Sequence, residues 1–177
     1  RDGNRRREYH SYLGRQQLRW LQQTLRRSTA PFKVISSGTM WSDFMSKAKD
    51  SWGSWDIPGR EEIYNFIEEH RIGGVLLLSG DRHGARGFKI ERPSGFTLHE
   101  FEAATLGGVP GPGPFAPDRS AQIFGYGGGL KAFGEFTFDM RKPDPEVTFR
   151  LIDEEGKELE RHTFRRSQLM PRQKKRR

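Results

Sequence analysis

The sequence feature that most constrains the fold is the run Val75-Leu76-Leu77-Leu78, which stands between Gly73-Gly74 and Ser79-Gly80. Four apolar residues suit a strand and are far fewer than the roughly 18–20 that a membrane-spanning helix needs. A strand without polar alternation is typical of one that is buried on both faces, in a sheet covered by helices. The run therefore predicts an α/β layer and gives no indication of a membrane span.

The segments before this strand fit the same layer. Leu18, Leu21 and Leu25 recur at the spacing of one helix face, and Pro58 stands where a helix commonly begins. Three tryptophans among polar residues indicate an ordered loop, because Trp is costly to leave in water. The predicted elements are a helix over about 15–27, a strand over 32–36, a loop over 40–58 and a helix over about 59–70.

Beyond residue 84 the pattern changes to β. Phe136 and Phe138 alternate with polar residues, which is the period of an antiparallel strand with one solvated face. Asp153-Glu154-Glu155-Gly156 is typical of a hairpin turn. The predicted strands are 85–90, 96–102, 122–126, 132–140, 146–152 and 159–164. The Gly- and Pro-rich loops 107–117 and 127–129 match neither the Walker nor the Rossmann spacing, so no nucleotide role is expected for them.

The charge is concentrated at the two ends of the chain. The 177 residues carry a net charge of +8, residues 1–27 hold eight Arg against two acids, and residues 161–177 hold eight basic residues and no acid. A nucleic-acid-binding fold usually carries its positive charge on the fold itself. We therefore interpret residues 166–177 as a basic, disordered tail rather than as a nucleic-acid contact.

Two absences in the sequence also matter. There is no cysteine, which excludes a disulfide framework and thiolate metal sites. The chain begins with Arg and shows no signal-peptide pattern, so we interpret it as a fragment whose localisation is open.

The candidate site follows the buried strand directly, in Ser79-Gly80-Asp81-Arg82-His83-Gly84. In open α/β sheets, ligands collect at the carboxyl ends of strands. Asp81 offers a hard oxygen donor for a divalent or trivalent cation, and His83 offers an imidazole that can bind a metal or a phosphate oxygen. Arg82 and Arg86 add positive charge and are candidate substrate contacts. The structural alternative is a capping Asp81 and a surface His83 in a tight loop.

Four motifs in this order resemble the C-terminal half of PhoD-type alkaline phosphatases, of the calcineurin-like metallophosphoesterase superfamily. The most discriminating is Leu77-Leu78-Ser79-Gly80-Asp81-Arg82-His83, which is close to the family's Leu-Ser-Gly-Asp-x-His signature. The others are Leu13-Gly14-Arg15-Gln16-Gln17-Leu18-Arg19-Trp20-Leu21, then Asp50-Ser51-Trp52 with Arg60-Glu61, then Phe133-Gly134-Glu135-Phe136-Thr137-Phe138-Asp139. The resemblance covers about residues 9–165.

The resemblance implies an α/β fold that is part of a four-layer α/β/β/α sandwich, with its C-terminal part mainly antiparallel β. Residues 1–165 would form the C-terminal part of the phosphatase domain. The implied activity is hydrolysis of a phosphate ester, monoester or diester, through a metal-activated hydroxide. Calcium and iron are the metals of the best-known members, and those members suggest a secreted or periplasmic protein.

By position in the resembled motif, Asp81 would be a metal ligand, and His83 a catalytic residue that contacts phosphate or donates a proton. The resemblance implies that the other metal ligands would lie in an N-terminal half, upstream of Arg1. We therefore expect the fragment to need that half as a partner and to be inactive alone. The rival hypotheses are a non-catalytic module that binds polyanions through its basic ends and a pseudo-enzyme.

The remaining candidate residues are expected to serve the structure more than the chemistry. His10 and His162 are expected at the surface, and His70 and His99 are expected to have structural roles. Arg60 is expected to pair with a carboxylate. Asp43 and Asp50 are weaker candidates to assist the site. The tryptophans at 41, 52 and 55 are expected to be core or loop anchors.

Overall fold

The computed structural model describes residues 12–45, 51–103, 105–107, 109, 111, 113–127 and 129–171. The helices are α1 (Gly14–Arg27), α2 (Trp52–Trp55) and α3 (Ile57–Glu69), followed late in the chain by a 3-10 helix (Arg166–Leu169). The strands are β1 (Lys33–Ser36), β2 (Val75–Ser79), β3 (Ala85–Glu91), β4 (Thr97–Ala103), β5 (Gln122–Tyr126), β6 (Ala132–Asp139), β7 (Glu146–Asp153) and β8 (Glu158–Arg165).

The strands form two sheets. The first has the order β1-β2-β4-β3-β5, in which β1, β2 and β4 run parallel while β3 pairs antiparallel with both β4 and β5. The second is a three-stranded antiparallel sheet, β6-β7-β8. The prediction of mainly antiparallel β after residue 84 is confirmed, with the parallel pairing of β4 to β2 as the exception.

Strand β2 is buried on both faces, as predicted. Val75 and Leu77 pack with Ile63 and the rest of the core beneath α1 and α3. Leu76 packs on the opposite face, in the core shared with Phe149 of the second sheet. The expectation that helices cover both faces is wrong, because the apolar faces of β6 and β7 cover the second one. The described residues therefore form three layers, α/β/β, consistent with part of the expected sandwich.

The connections of α3 depend on two local features. The helix begins at the buried Asp56, whose carboxylate accepts a hydrogen bond from Gly59 N at 3.0 Å. It ends at Glu69, and the connection to β2 passes through Gly74, which has φ 72° and where any Cβ would collide with the carbonyl oxygen of Pro31. Only glycine allows both the left-handed conformation and this close approach.

Three structural expectations need correction. The loop predicted over 40–58 contains α2, and Trp55 is 64% exposed rather than an anchor, whereas Trp41 and Trp52 are buried as expected. The basic tail cannot begin at residue 166, because residues 166–169 are helical and Leu169 is buried. Residues 172–177 lie outside the described residues, as do His10 and Asp50. Among the described helices, none has the length and apolar character that crossing a membrane requires.

Candidate active site

The candidate site lies where the parallel strands of the first sheet end. Residues 37–39 follow β1, and residues 80–84, here called the site loop, follow β2. The two loops are neighbours, since a Cβ added at Gly80 would lie 3.8 Å from Gly38 O. Asp81 and His83 are both exposed at this edge. The structure thus places both predicted residues where an open α/β sheet binds ligands.

The backbone of the site loop is strained. Asp81 has φ 74° and His83 has φ 49°, and they are two of the three non-glycine residues with positive φ in the described part of the chain. A left-handed residue that is not glycine costs roughly 1–3 kcal/mol, and such residues cluster at functional sites. The local conformation therefore supports a functional hypothesis for this loop.

The ring of His83 is held by one hydrogen bond. Its Nδ1 lies 2.8 Å from Val109 O, and the amide of Gly111 donates to His83 O at 3.1 Å. A carbonyl oxygen can only accept, so Nδ1 carries the proton and Nε2 of the neutral ring holds a lone pair. In this tautomer Nε2 can bind a metal or accept a proton, and it donates a proton only when the ring is an imidazolium.

Arg86 is placed differently from the prediction. It is fully buried, and its Nη1 donates to Glu102 Oε2 at 2.5 Å, because the β3–β4 register sets these residues opposite each other. Burial raises the pKa of Glu102 to about 7, and the charge of Arg86 opposes that rise. The predicted substrate contact of Arg86 is therefore not supported, since its guanidinium is buried and pairs with Glu102 inside the fold. Arg82 is half-buried, and its substrate contact stays a prediction.

A second buried carboxylate orders the residues after β1. Glu100 is fully buried and accepts hydrogen bonds from Trp41 N at 2.7 Å and Ser42 N at 3.1 Å. Burial raises the pKa of Glu100, and these two residues oppose the rise. The indole of Trp41 donates to Leu78 O at 2.9 Å, and that of Trp52 donates to Ser37 Oγ at 2.9 Å.

The same region contains the predicted ion pair of Arg60. Its Nη2 lies 3.0 Å from Glu61 Oε1, and its Nη1 lies 3.9 Å from Asp43 Oδ1. Arg60 also donates to Trp41 O at 3.2 Å, so the structural role expected for it is confirmed. Asp43 is thus part of this loop anchor.

The sequence reasoning missed Glu100 and Glu102. The available signal was the presence of two acids at alternate positions of the strand Thr97–Ala103, on either side of Phe101. A charged residue inside a strand of this kind is expected to be buried only when it has a partner.

Three other histidines lie in the described part of the chain, away from the site loop. His70 stacks on Phe66 at 4.0 Å between ring centroids, at the end of α3. His162 is half-buried rather than fully exposed, because the alternation of β8 turns it toward the first sheet, where it stacks on Phe124 at 5.4 Å between ring centroids. His99 packs on Phe164 in the same layer, at 4.4 Å.

The residues described here do not make a complete metal centre. No group of three or more His, Asp or Glu side chains in the described ranges could hold a metal ion. Asp81 offers a carboxylate donor and His83 a nitrogen donor. These two side chains could supply only part of the coordination shell of a metal ion.

Comparisons with known proteins show the family and the fold. The family model of PhoD-like phosphatases matches residues 1–118. Over 82 residues the chain is 33% identical to alkaline phosphatase D of Bacillus subtilis (strain 168), a match that covers 41% of this chain and 14% of that protein. A solved structure described as "Structure of PhoD" matches 84% of this chain and 35% of its own, with a TM-score of 0.55 and 18% identity. The chain thus spans a minor part of the proteins that it resembles.

Proposed function

The chain belongs to the PhoD-like phosphatase family, and on that premise we propose that it forms part of a metal-dependent phosphoesterase that hydrolyses phosphate esters. The observation that carries this proposal is the site loop. It follows a buried parallel strand, exposes a carboxylate and an imidazole, and holds both residues at positive φ. This is the type of position from which open α/β sheets present residues to a ligand.

In this proposal Asp81 is a metal ligand, and the expected ions are calcium and iron. Bound ions would supply the positive charge that stabilises the phosphoryl oxygens and would acidify bound water. His83 contacts a phosphate oxygen and, as an imidazolium, donates the Nε2 proton to the leaving alkoxide. Its Nδ1 bond to Val109 O keeps the ring oriented for that transfer. Arg82 is the proposed substrate contact.

The rest of the same domain is the proposed partner, because within the described ranges no element covers one side of the two-sheet sandwich. Strand β8 packs on β5, where Tyr126 Oη donates to Glu160 Oε1 at 2.9 Å. On the other side, β1 and β6 are the outermost described strands of their sheets. There Val34 points into the layer between the sheets and is nevertheless 42% exposed, and Phe138 is 39% exposed.

Exposed apolar residues at two strand edges favour the addition of further strands. We place the missing N-terminal half, which would carry the other metal ligands, on this open side. The fragment alone is then expected to be inactive.

The test is turnover of an aryl phosphate monoester and an aryl phosphate diester by the intact protein and by the isolated 177-residue chain. We expect metal-dependent turnover by the intact protein, lost on chelation and restored by calcium and iron. Asp81→Ala is expected to lower kcat by at least about 10²-fold, by analogy with the loss of one group that stabilises charge in the transition state. The control is Glu155→Ala, which removes an exposed carboxylate in the β7–β8 turn.

Metal-independent turnover by the intact protein would contradict the proposed chemistry. Turnover by the isolated chain that Asp81→Ala abolishes would contradict the need for the missing half.

A further inference from the structure

One buried cation connects the site loop to the segment that covers it. The covering segment is defined here by Val109, Gly111 and Gly113. Besides its ion pair with Glu102, the guanidinium of Arg86 donates to Arg82 O at 3.4 Å, in the site loop. It also donates to Gly113 O at 3.3 Å, in the covering segment.

The covering segment in turn contacts His83 at two atoms. Val109 O accepts the Nδ1 proton, and Gly111 N donates to the backbone oxygen of His83. The approach is close, because a Cβ at Gly111 would collide with Arg82 O and lie 2.8 Å from His83 Cβ. The position of the covering segment therefore determines which ring nitrogen of His83 carries the proton.

We propose that Arg86 and Glu102 are positioning residues, which hold the covering segment against the site loop. They thereby keep Nδ1 of His83 bonded to Val109 O, so that Nε2 is the ring nitrogen left to take up and release a proton. The importance of this positioning of His83 for the reaction rests on the proposed phosphoesterase function. The positioning itself is a property of the folded chain.

Arginine suits this role better than lysine. A planar guanidinium can donate to a carboxylate and to two carbonyl oxygens in different directions, whereas an ammonium is a compact point charge. Arg86→Lys keeps the charge that pairs with Glu102 and loses the fork that reaches Arg82 O and Gly113 O. The substitution thus separates charge neutralisation in the fold from positioning of the covering segment.

The experiment is NMR on the full 177-residue chain. Ring nitrogen shifts of His83 report its tautomer, and amide exchange at Gly111 reports the contact of the covering segment. In Arg86→Lys we expect a folded chain in which His83 shifts toward a mixture of tautomers and Gly111 exchanges at least about tenfold faster, since local opening becomes easier. Arg141→Lys is the matched control, because that side chain is 91% exposed in the β6–β7 turn.

Wild-type His83 shifts and wild-type Gly111 exchange in a folded Arg86→Lys chain would overturn the proposal. If Arg86→Lys does not fold, Glu102→Gln takes its place, with the same changes expected at smaller size. If neither variant folds, the Arg86–Glu102 pair serves stability alone, and this result would equally overturn the proposal. Neither NMR measurement needs turnover. The positioning can therefore be confirmed even if the proposed phosphoesterase activity is absent, and it can be disproved even if that activity is present.

Discussion

Histidines show most clearly that a residue's chemistry depends on its surroundings. His83 is exposed, and its Nδ1 bonds Val109 O. His99 lies between the sheets, where its Nδ1 is buried without a hydrogen-bond partner. Burial, together with the charges of Lys89 and His162, lowers the pKa of His99 from 6.5 to about 4. His99 is thus neutral in the folded chain at neutral pH and acts as a packing residue.

This difference predicts how stability depends on pH. The unfolded chain takes up a proton at His99 near pH 6.5, and the folded chain does so only near pH 4. The contribution of His99 to the free energy of unfolding is therefore fully present above pH 6.5 and is lost as the pH falls toward 4. At pH 4.5 the loss is about 2–3 kcal/mol, from 1.36 kcal/mol per pKa unit.

Urea unfolding at pH 7 and at pH 4.5 measures this loss in the free energy of unfolding. His99→Leu is expected to lose that part of the pH dependence, and His70→Asn, at an exposed site, is expected to keep it. An equal drop in stability for wild type and His99→Leu would contradict the prediction.

At the scale of helices and strands, stability depends on where two segments approach closely. Gly74 and Gly156 both have positive φ, at 72° and 82°. A Cβ at Gly74 would collide with Pro31 O, whereas no atom lies within 4 Å of a Cβ at Gly156. The two glycines therefore separate the cost of the backbone conformation from the cost of a collision.

We expect Gly156→Ala to lower the free energy of unfolding by about 1–2 kcal/mol, the cost of a left-handed alanine. Gly74→Ala is expected to lower it by at least about 4 kcal/mol, because β1 and the start of β2 must also move apart. Denaturant unfolding of the two variants provides the measurement. Equal losses would show that Pro31 and Gly74 can separate at little cost.

The same contrast between local and distant contacts explains what the sequence could predict. The predicted bounds of β5 match the structure to the residue, and those of the other strands match within one residue, because period-two patterns and Gly/Pro turns are local signals. The pairing of β2 with β4, the pairing of Arg86 with Glu102 and the contact of His83 with Val109 join distant positions. No local pattern encodes them, so they appear only in the structure.

At the scale of the whole molecule, the open side of the sandwich sets the behaviour of the isolated chain. Val34 and Leu76 are neighbours across β1 and β2, yet Leu76 is fully buried while Val34 is 42% exposed. An exposed apolar strand edge favours association with other chains.

We expect Val34→Lys to raise the monomer fraction of the isolated chain in light scattering, because a charge on an edge strand opposes edge-to-edge pairing. In the intact protein the same change is expected to weaken folding, since the lysine would face the added strands. Thr163→Lys, on the exposed face of β8, is the control. An unchanged monomer fraction in Val34→Lys would argue against β1 as the site of association.

The stacked pair of Trp41 and Trp52 also has an optical consequence. Their rings lie 5.0 Å apart and are nearly parallel, at 11°, and both are shielded from water. Trp20 and Trp55, 61% and 64% exposed, complete the four tryptophans of the chain. Iodide can quench the emission of the exposed pair and leave the stacked pair as the remaining light source. Since the stacked indoles donate to Leu78 O and Ser37 Oγ, that residual fluorescence reports on the edge of the sheet beside the site loop without any label.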